Sequence, residues 1–169
     1  MKPFTGQASV TWGGDSHQGK GGITTPSLAL TGLLYASGRL TNRKTTSPPE
    51  LIAAAHASSF SMTLADELKA AGYATHQIHT TATVTMERIG IRWTMAQIHL
   101  DVVATVRDGE QFDFMDAALR AKANCPVCRL LTATISMQAR LKRGPGANAL
   151  ALEKPPGFPI MSRSKNSKG

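Results

Sequence analysis

The chain has 169 residues, enough for one domain with its own core, and its 41% hydrophobic and 18% charged residues are typical of a globular protein. The formal net charge is +8, but many basic residues lie near the C-terminus and the few aromatic residues are not interleaved with them. We therefore expect a solvated basic tail and no nucleic-acid partner. No apolar run approaches the about 20 residues of a membrane span, and the N-terminus lacks the apolar region of a signal peptide, so we expect a cytoplasmic protein with no membrane partner.

Short strands are predicted before a long helix, and longer strands after it. Alternating hydrophobicity marks the strands, and apolar spacing of three and four residues marks the helices. In chain order, we predict a strand over 5–12, a turn over 13–15, strands over 19–25 and 28–40, a polar loop over 41–46, a helix over 47–72, strands over 82–86 and 98–106, a helix over 112–119, a short helix from Cys125, and a strand over 133–141. Helices segregated from antiparallel hairpins define an α+β fold with antiparallel sheets. The domain is placed at residues 1–143, followed by a Pro/Gly-rich, basic tail at residues 144–169.

The helix after Ser47 is the strongest prediction in the chain. Pro48 suits the first helical position, and Glu50 completes a capping box with Ser47. Gly72 supplies a stop. Because residues 51–64 carry no formal charge, we expect this helix to be buried on nearly every side and to run through the middle of the fold.

The only two cysteines, Cys125 and Cys128, are the main candidates for chemistry. If Pro126 takes the first helical position, Cys125 is the N-cap, and both sulfurs face the helix end whose N–H groups and dipole stabilise a thiolate. This pattern favours a redox or reactive pair, ahead of inert core cysteines and then zinc. Zinc needs about four ligands, and the spacing of His76 and His79 makes them the candidates to complete a set with the two cysteines.

Four other polar residues have simpler interpretations. Arg39 is typical of a surface arginine and Glu50 of a capping residue. His56 is predicted to be a buried, hydrogen-bonded histidine rather than a ligand or base. Ser59 lacks the Gly-x-Ser-x-Gly elbow of a hydrolase nucleophile. Pattern alone therefore supports an α+β domain with a dithiol, and nothing more specific.

Four motifs together carry a family resemblance. They are residues 8–15 followed by 19–21, Arg39 before the polar loop, residues 47–62, and residues 121–127. With these motifs the chain resembles the OsmC/Ohr family of thiol-dependent organic hydroperoxide reductases, and in particular its OsmC branch, over about residues 5–142.

The resemblance implies an intertwined homodimer with antiparallel sheets around a long central helix and an active site at each interface. A cysteine on that helix attacks the peroxide and becomes a sulfenic acid, and a second cysteine condenses with it to a disulfide that a dithiol reductant reopens. An arginine stabilises the thiolate, because its guanidinium keeps its own proton, and a glutamate orients the arginine.

Residue by residue, the resemblance carries over only in part. Arg39 matches the arginine and Cys125 the second cysteine, but the attacking cysteine falls on Ser59. A serine has no sulfenic acid state, so the ordinary two-cysteine cycle cannot run. The glutamate falls on Pro49, and Glu50 is one residue, or about 100° of helix, away from the expected direction.

Two explanations account for Ser59: an engineered Cys-to-Ser change made to trap a reduced state, or natural divergence. The simultaneous loss of the glutamate and gain of Cys128 favours natural divergence. We therefore expect an OsmC-like protein of the peroxide stress response whose remaining redox chemistry rests on Cys125 and Cys128, with Arg39 as an anion-binding or thiolate-stabilising group. No cofactor or metal is expected. The alternatives are a non-catalytic dimer that binds a small apolar molecule in its interface pocket, and an engineered inactive peroxidase.

Overall fold

The computed structural model describes residues 3–36, 45–106 and 111–143. Arg39 lies outside these ranges, as do the end of the strand predicted over 28–40, most of the polar loop over 41–46, and the tail over 144–169. None of the helices in the described part of the chain has the length and apolar character that a membrane span requires.

The first sheet has three short antiparallel strands, β1 (Ser9–Gly13), β2 (Lys20–Thr24) and β3 (Leu33–Ala36), in that order. All three predicted strands exist, and the first two are shorter than predicted. The turn after β1 is confirmed: the carboxylate of Asp15 accepts hydrogen bonds from the backbone of His17 and Gln18. The long predicted third strand starts late because residues 25–32 form a bend.

The long helix α1 spans Pro48–Ala70, close to its predicted bounds. Ser47 is the N-cap residue, but its side chain makes no capping hydrogen bond, so the predicted capping box is not formed. Glu50 instead accepts a hydrogen bond from Thr46 Oγ1 at 3.0 Å. Because proline has no N–H and its φ is already helical, Pro48 can start the helix without that cap. Gly72 ends it with a φ of +86°, as predicted.

The second sheet contains the core-forming strands β4 (Thr75–Ile89), β5 (Arg92–Val106) and β6 (Thr134–Arg143), in that order. β4 and β5 form an antiparallel hairpin that turns at Gly90. Two helices separate β5 from β6: α2 (Gln111–Asn124), which is longer than predicted, and α3 (Pro126–Leu130). This crossover makes β6 parallel to β5, so the expectation of purely antiparallel sheets is wrong for that pair. The α+β class itself is confirmed.

The core lies between α1, α2 and the second sheet. α1 buries one stripe completely, and its members are His56, Phe60, Leu64 and Leu68. β5 supplies every second residue from Ile98 to Val106. The rest of α1 is less buried than predicted, and Met62 is 71% exposed. A single chain therefore covers only one face of this helix.

Candidate active site

The candidate site forms where the middle of α1 meets the N-terminus of α3. Ser59 Oγ lies 3.4 Å from Cys125 Sγ, and His56 Nε2 lies 3.0 Å from Cys128 Sγ. His56 and Ser59 are three residues apart on α1, and so are Cys125 and Cys128 at the start of α3. This spacing places two side chains on the same face of a helix. Two facing pairs of side chains thus build one cluster, which we call the thiol cluster: His56, Ser59, Cys125 and Cys128.

The local sequence of α3 positions both sulfurs, as predicted. Cys125 is the N-cap residue, Pro126 is at the first helical position, and the backbone N–H of Cys128 donates to Cys125 Sγ at 3.5 Å. The backbone N–H of Cys125 donates to the carbonyl of Ala121 at 2.8 Å, so α3 follows α2 without a flexible linker. The sulfurs are consequently held against α1 by two joined helices.

Polar contacts between α1 and α2 reinforce this arrangement. Glu67, one of the last residues of α1, accepts from Arg120 Nε at 2.9 Å and from Asn124 Nδ2 at 2.8 Å. The hydrogen bond from Asn124, followed by that from Arg120, lowers the pKa of Glu67. Since Asn124 immediately precedes Cys125, this contact holds the start of α3 next to α1.

The two sulfurs differ in their protonation. Burial raises the pKa of Cys125, but hydrogen bonds from Ser59 and Cys128 outweigh it, and the pKa lies below its ordinary value. Burial and the hydrogen bond to Cys125 raise the pKa of Cys128 to about 12. Cys125 is therefore the more readily ionised of the two thiols, and Cys128 is the one that stays protonated. Cys125 is also completely buried within the chain, whereas Ser59 and Cys128 are only partly buried.

His56 is fully buried and hydrogen-bonded, as the sequence predicts, but its partner is a cysteine sulfur. Burial lowers its pKa, which favours a neutral imidazole. Its other ring nitrogen, Nδ1, has no hydrogen-bond partner among the described residues. Within the described residues, Cys128 is therefore the one polar partner that orients the imidazole ring.

The remaining site predictions do not converge on the thiol cluster. Glu50 is exposed at the start of α1, where it accepts from Thr46. Arg39 lies outside the described residues. His76 and His79 are exposed on β4, so the zinc set suggested by the sequence is wrong; within the described residues, His56 groups with the two cysteines instead. His56 and Ser59 have the same spacing as Cys125 and Cys128. This equal spacing is the sequence signal that could have revealed the contact between the two pairs.

A long helix packed on a mixed sheet, with an N-capping cysteine facing that helix, defines a small α+β protein with a buried thiol site. The family model described as "OsmC-like protein" matches residues 41–140. Peroxiredoxin OsmC of Escherichia coli (strain K12) is 37% identical over 132 residues, which are 78% of this chain and 92% of that protein. The chain belongs to the OsmC family, as the sequence motifs predict.

Solved structures support the same fold. An OsmC-like protein from Vibrio cholerae matches with a TM-score of 0.68 at 11% identity, over 82% of this chain and 100% of that one. The organic hydroperoxide resistance protein OhrB of Bacillus subtilis matches with a TM-score of 0.60 at 18% identity, over 80% of this chain and 98% of that one. At these identities the likeness concerns the fold alone.

The burial of His56 predicts a specific loss of stability in mild acid. Its pKa lies below the ordinary value of 6.5, so below that pH the unfolded chain binds a proton that the folded chain does not. The contribution of His56 to the free energy of unfolding is therefore fully present above pH 6.5 and is lost as the pH falls below it. For one proton, the free energy of unfolding changes by at most about 1.4 kcal/mol per pH unit. Denaturant unfolding of the reduced protein from about pH 7.5 to about pH 5.5 measures it.

His56→Gln should flatten this slope, because the group that titrates is gone. His79→Gln is the matched control, because it removes an exposed imidazole from β4 and keeps the buried His56 to which the slope is assigned. An identical slope in wild type and His56→Gln would contradict the assignment.

Proposed function

We propose that this chain reduces organic hydroperoxides in the response to peroxide stress, with Cys125 as the attacking sulfur and Cys128 as its resolving partner. The proposal is carried by the position of Cys125 Sγ. This sulfur contacts Ser59, the residue at the family's attacking position, and it also contacts Cys128. The names of two similar proteins, a peroxiredoxin and an organic hydroperoxide resistance protein, agree with this reaction class.

The proposed reaction uses the unequal protonation of the two cysteines. The Cys125 thiolate attacks one oxygen of the hydroperoxide, the O–O bond breaks, and Cys125 becomes a sulfenic acid while the alkoxide takes a proton and leaves as an alcohol. The sulfur of Cys128 then attacks the sulfenic sulfur, forming a disulfide and releasing water. An external dithiol reductant reopens the disulfide by thiol–disulfide exchange and is itself oxidised to a disulfide. Both cysteines of the chain return to the reduced state.

The family resemblance suggests two further residues for the proposed site. Arg39 would stabilise the thiolate and bind the peroxide, since a guanidinium supplies charge and several donors without losing its proton. Glu50 is the acidic residue beside the family's glutamate position and is the candidate partner for Arg39. Because Cys125 is fully buried and Ser59 only partly so, a hydroperoxide would approach past the Ser59 hydroxyl.

Thiol titration with stoichiometric cumene hydroperoxide tests the roles of the two cysteines. Wild type should lose both thiols for each peroxide consumed, because a disulfide forms. Cys128→Ser should stop at a sulfenic acid that dimedone traps, since the resolving thiol is missing. Cys125→Ser should lose none, because the remaining Cys128 thiol is protonated at neutral pH.

No thiol loss in wild type, or equal loss in Cys125→Ser, would remove the peroxidase proposal. The full burial of Cys125 would then favour the second candidate function, a non-catalytic dimer that binds an apolar molecule. Such a binder should gain thermal stability from its ligand by mass action, whatever its redox state.

Ser59→Cys should raise hydroperoxide turnover with a dithiol reductant by at least about tenfold, equivalent to lowering the barrier by about 1.4 kcal/mol. The new sulfur would be less buried than that of Cys125 and within reach of it, so the family's two-cysteine order would be restored. Ser59→Ala is the matched control and should give no gain. Equal rates for the two variants would indicate that the surrounding pocket no longer binds peroxide.

We also propose that the chain acts as a homodimer, with the first sheet and the outer face of α1 forming the interface. Val10 and Leu34 on the first sheet are 57% and 52% exposed, and Met62 on α1 is 71% exposed. Among the described residues, no strand of the first sheet packs extensively on a helix or on the second sheet. Exposed apolar side chains on both the first sheet and α1 are typical of a surface that packs against another protein chain.

Light scattering coupled to gel filtration should give the mass of two chains for wild type. Met62→Glu should shift the population toward one chain, because a charge would be buried at the proposed interface without a partner. A monomeric wild type, or a Met62→Glu protein as dimeric as wild type, would contradict this interface.

A further inference from the structure

The thiol cluster contains three side chains of the kinds that bind zinc. The candidate ligand atoms of His56, Cys125 and Cys128 all lie within 4.8 Å of one another. Zinc binds thiolate at about 2.3 Å and imidazole nitrogen at about 2.0–2.1 Å, so tetrahedral ligands on one ion stand roughly 3.5–3.8 Å apart. His56 Nε2 and Cys128 Sγ, at 3.0 Å, need to separate by only roughly 0.5 Å to reach that geometry.

We propose that the reduced protein binds one zinc ion per chain through His56 Nε2, Cys125 Sγ and Cys128 Sγ. This goes beyond the hydroperoxide chemistry proposed above and does not depend on it. The three ligands come from two helices that are already packed together, so binding needs no change in the fold.

Ser59 lies beside the three candidate ligands. Its hydroxyl oxygen lies 3.4 Å from Cys125 Sγ, and the side chain is only partly buried. Three protein ligands of the Cys2His type with a fourth position open to a water or a small ligand are a known zinc arrangement. The site therefore resembles a zinc centre with an exchangeable position more than a closed structural one.

The protonation of the three ligands suits a metal ion. Zinc needs an unprotonated imidazole nitrogen, and burial keeps His56 neutral. Coordination through Nε2 would place the ring proton on Nδ1, the nitrogen that has no partner among the described residues. Zinc binds cysteine as the thiolate, so binding would displace protons from thiols. The affinity should accordingly rise with pH, and no electron is transferred.

Zinc and hydroperoxide would compete for the same sulfurs. A disulfide between Cys125 and Cys128 consumes two of the three ligands, so the oxidised protein cannot form the site. Conversely, sulfur bound to zinc is less available to attack peroxide.

Titration of the reduced, metal-free protein with Zn²⁺, in competition with a chromophoric chelator, tests the proposal without any peroxide. We expect one ion per chain, and with Co²⁺ a near-ultraviolet sulfur-to-metal charge-transfer band. His56→Gln should weaken binding by more than about tenfold, since even the loss of an outer-shell contact commonly costs that much. Cys128→Ser should also reduce the charge-transfer band, because one of two thiolates is lost.

His79→Gln is the matched control and should bind Zn²⁺ as tightly as wild type, because His79 is exposed on β4. X-ray absorption of the wild-type zinc complex gives a readout that needs no variant to fold: two sulfur ligands and lighter nitrogen or oxygen ligands are expected. Four sulfurs, no sulfur, or equal affinity in His56→Gln and wild type would overturn the site. Failure of the peroxidase proposal would leave all of these measurements unchanged.

Discussion

The contact between the middle of α1 and the first turn of α3 is the interaction on which the rest of the site depends. Residues separated by 66 and 72 positions meet there as two parallel pairs, a hydroxyl with a sulfur and an imidazole with a sulfur. The site is defined by this meeting because neither helix alone brings more than two of the four groups together. Glu67 and Asn124 maintain the contact from the side, through a hydrogen bond between α1 and α2.

Much of the fold could be predicted from sequence because its signals are local. Pro48 and Gly72 bracket α1, and Pro126 starts α3 with Cys125 as its N-cap. Errors arose where partners are distant along the chain. The direction of β6 depends on how α2 and α3 return the chain to the sheet, which no short pattern records.

The candidate site shows the same division. The N-cap position of Cys125 follows from one tetrapeptide, whereas the contact of His56 with Cys128 required the packing of two helices. The sequence suggested His76 and His79 as ligands because of their spacing, yet both are exposed: His79 is on the exposed side of the alternation in β4, and His76 is at the register shift between Thr75 and Gln77. Histidine spacing was therefore a poorer guide than the helical face on which His56 and Ser59 lie.

The N-cap role of Cys125 has a consequence for the redox behaviour of the pair. In the reduced protein its sulfur lies within hydrogen-bonding distance of Ser59 Oγ and of the Cys128 N–H at the start of α3, and these contacts lower its pKa and so favour the thiolate. A disulfide sulfur carries no charge, so oxidation would forfeit most of that stabilisation. Folding thus favours the dithiol over the disulfide, and a dithiol stabilised in this way has a higher reduction potential. A disulfide formed between Cys125 and Cys128 should consequently be easily reduced, which suits the redox cycle proposed above.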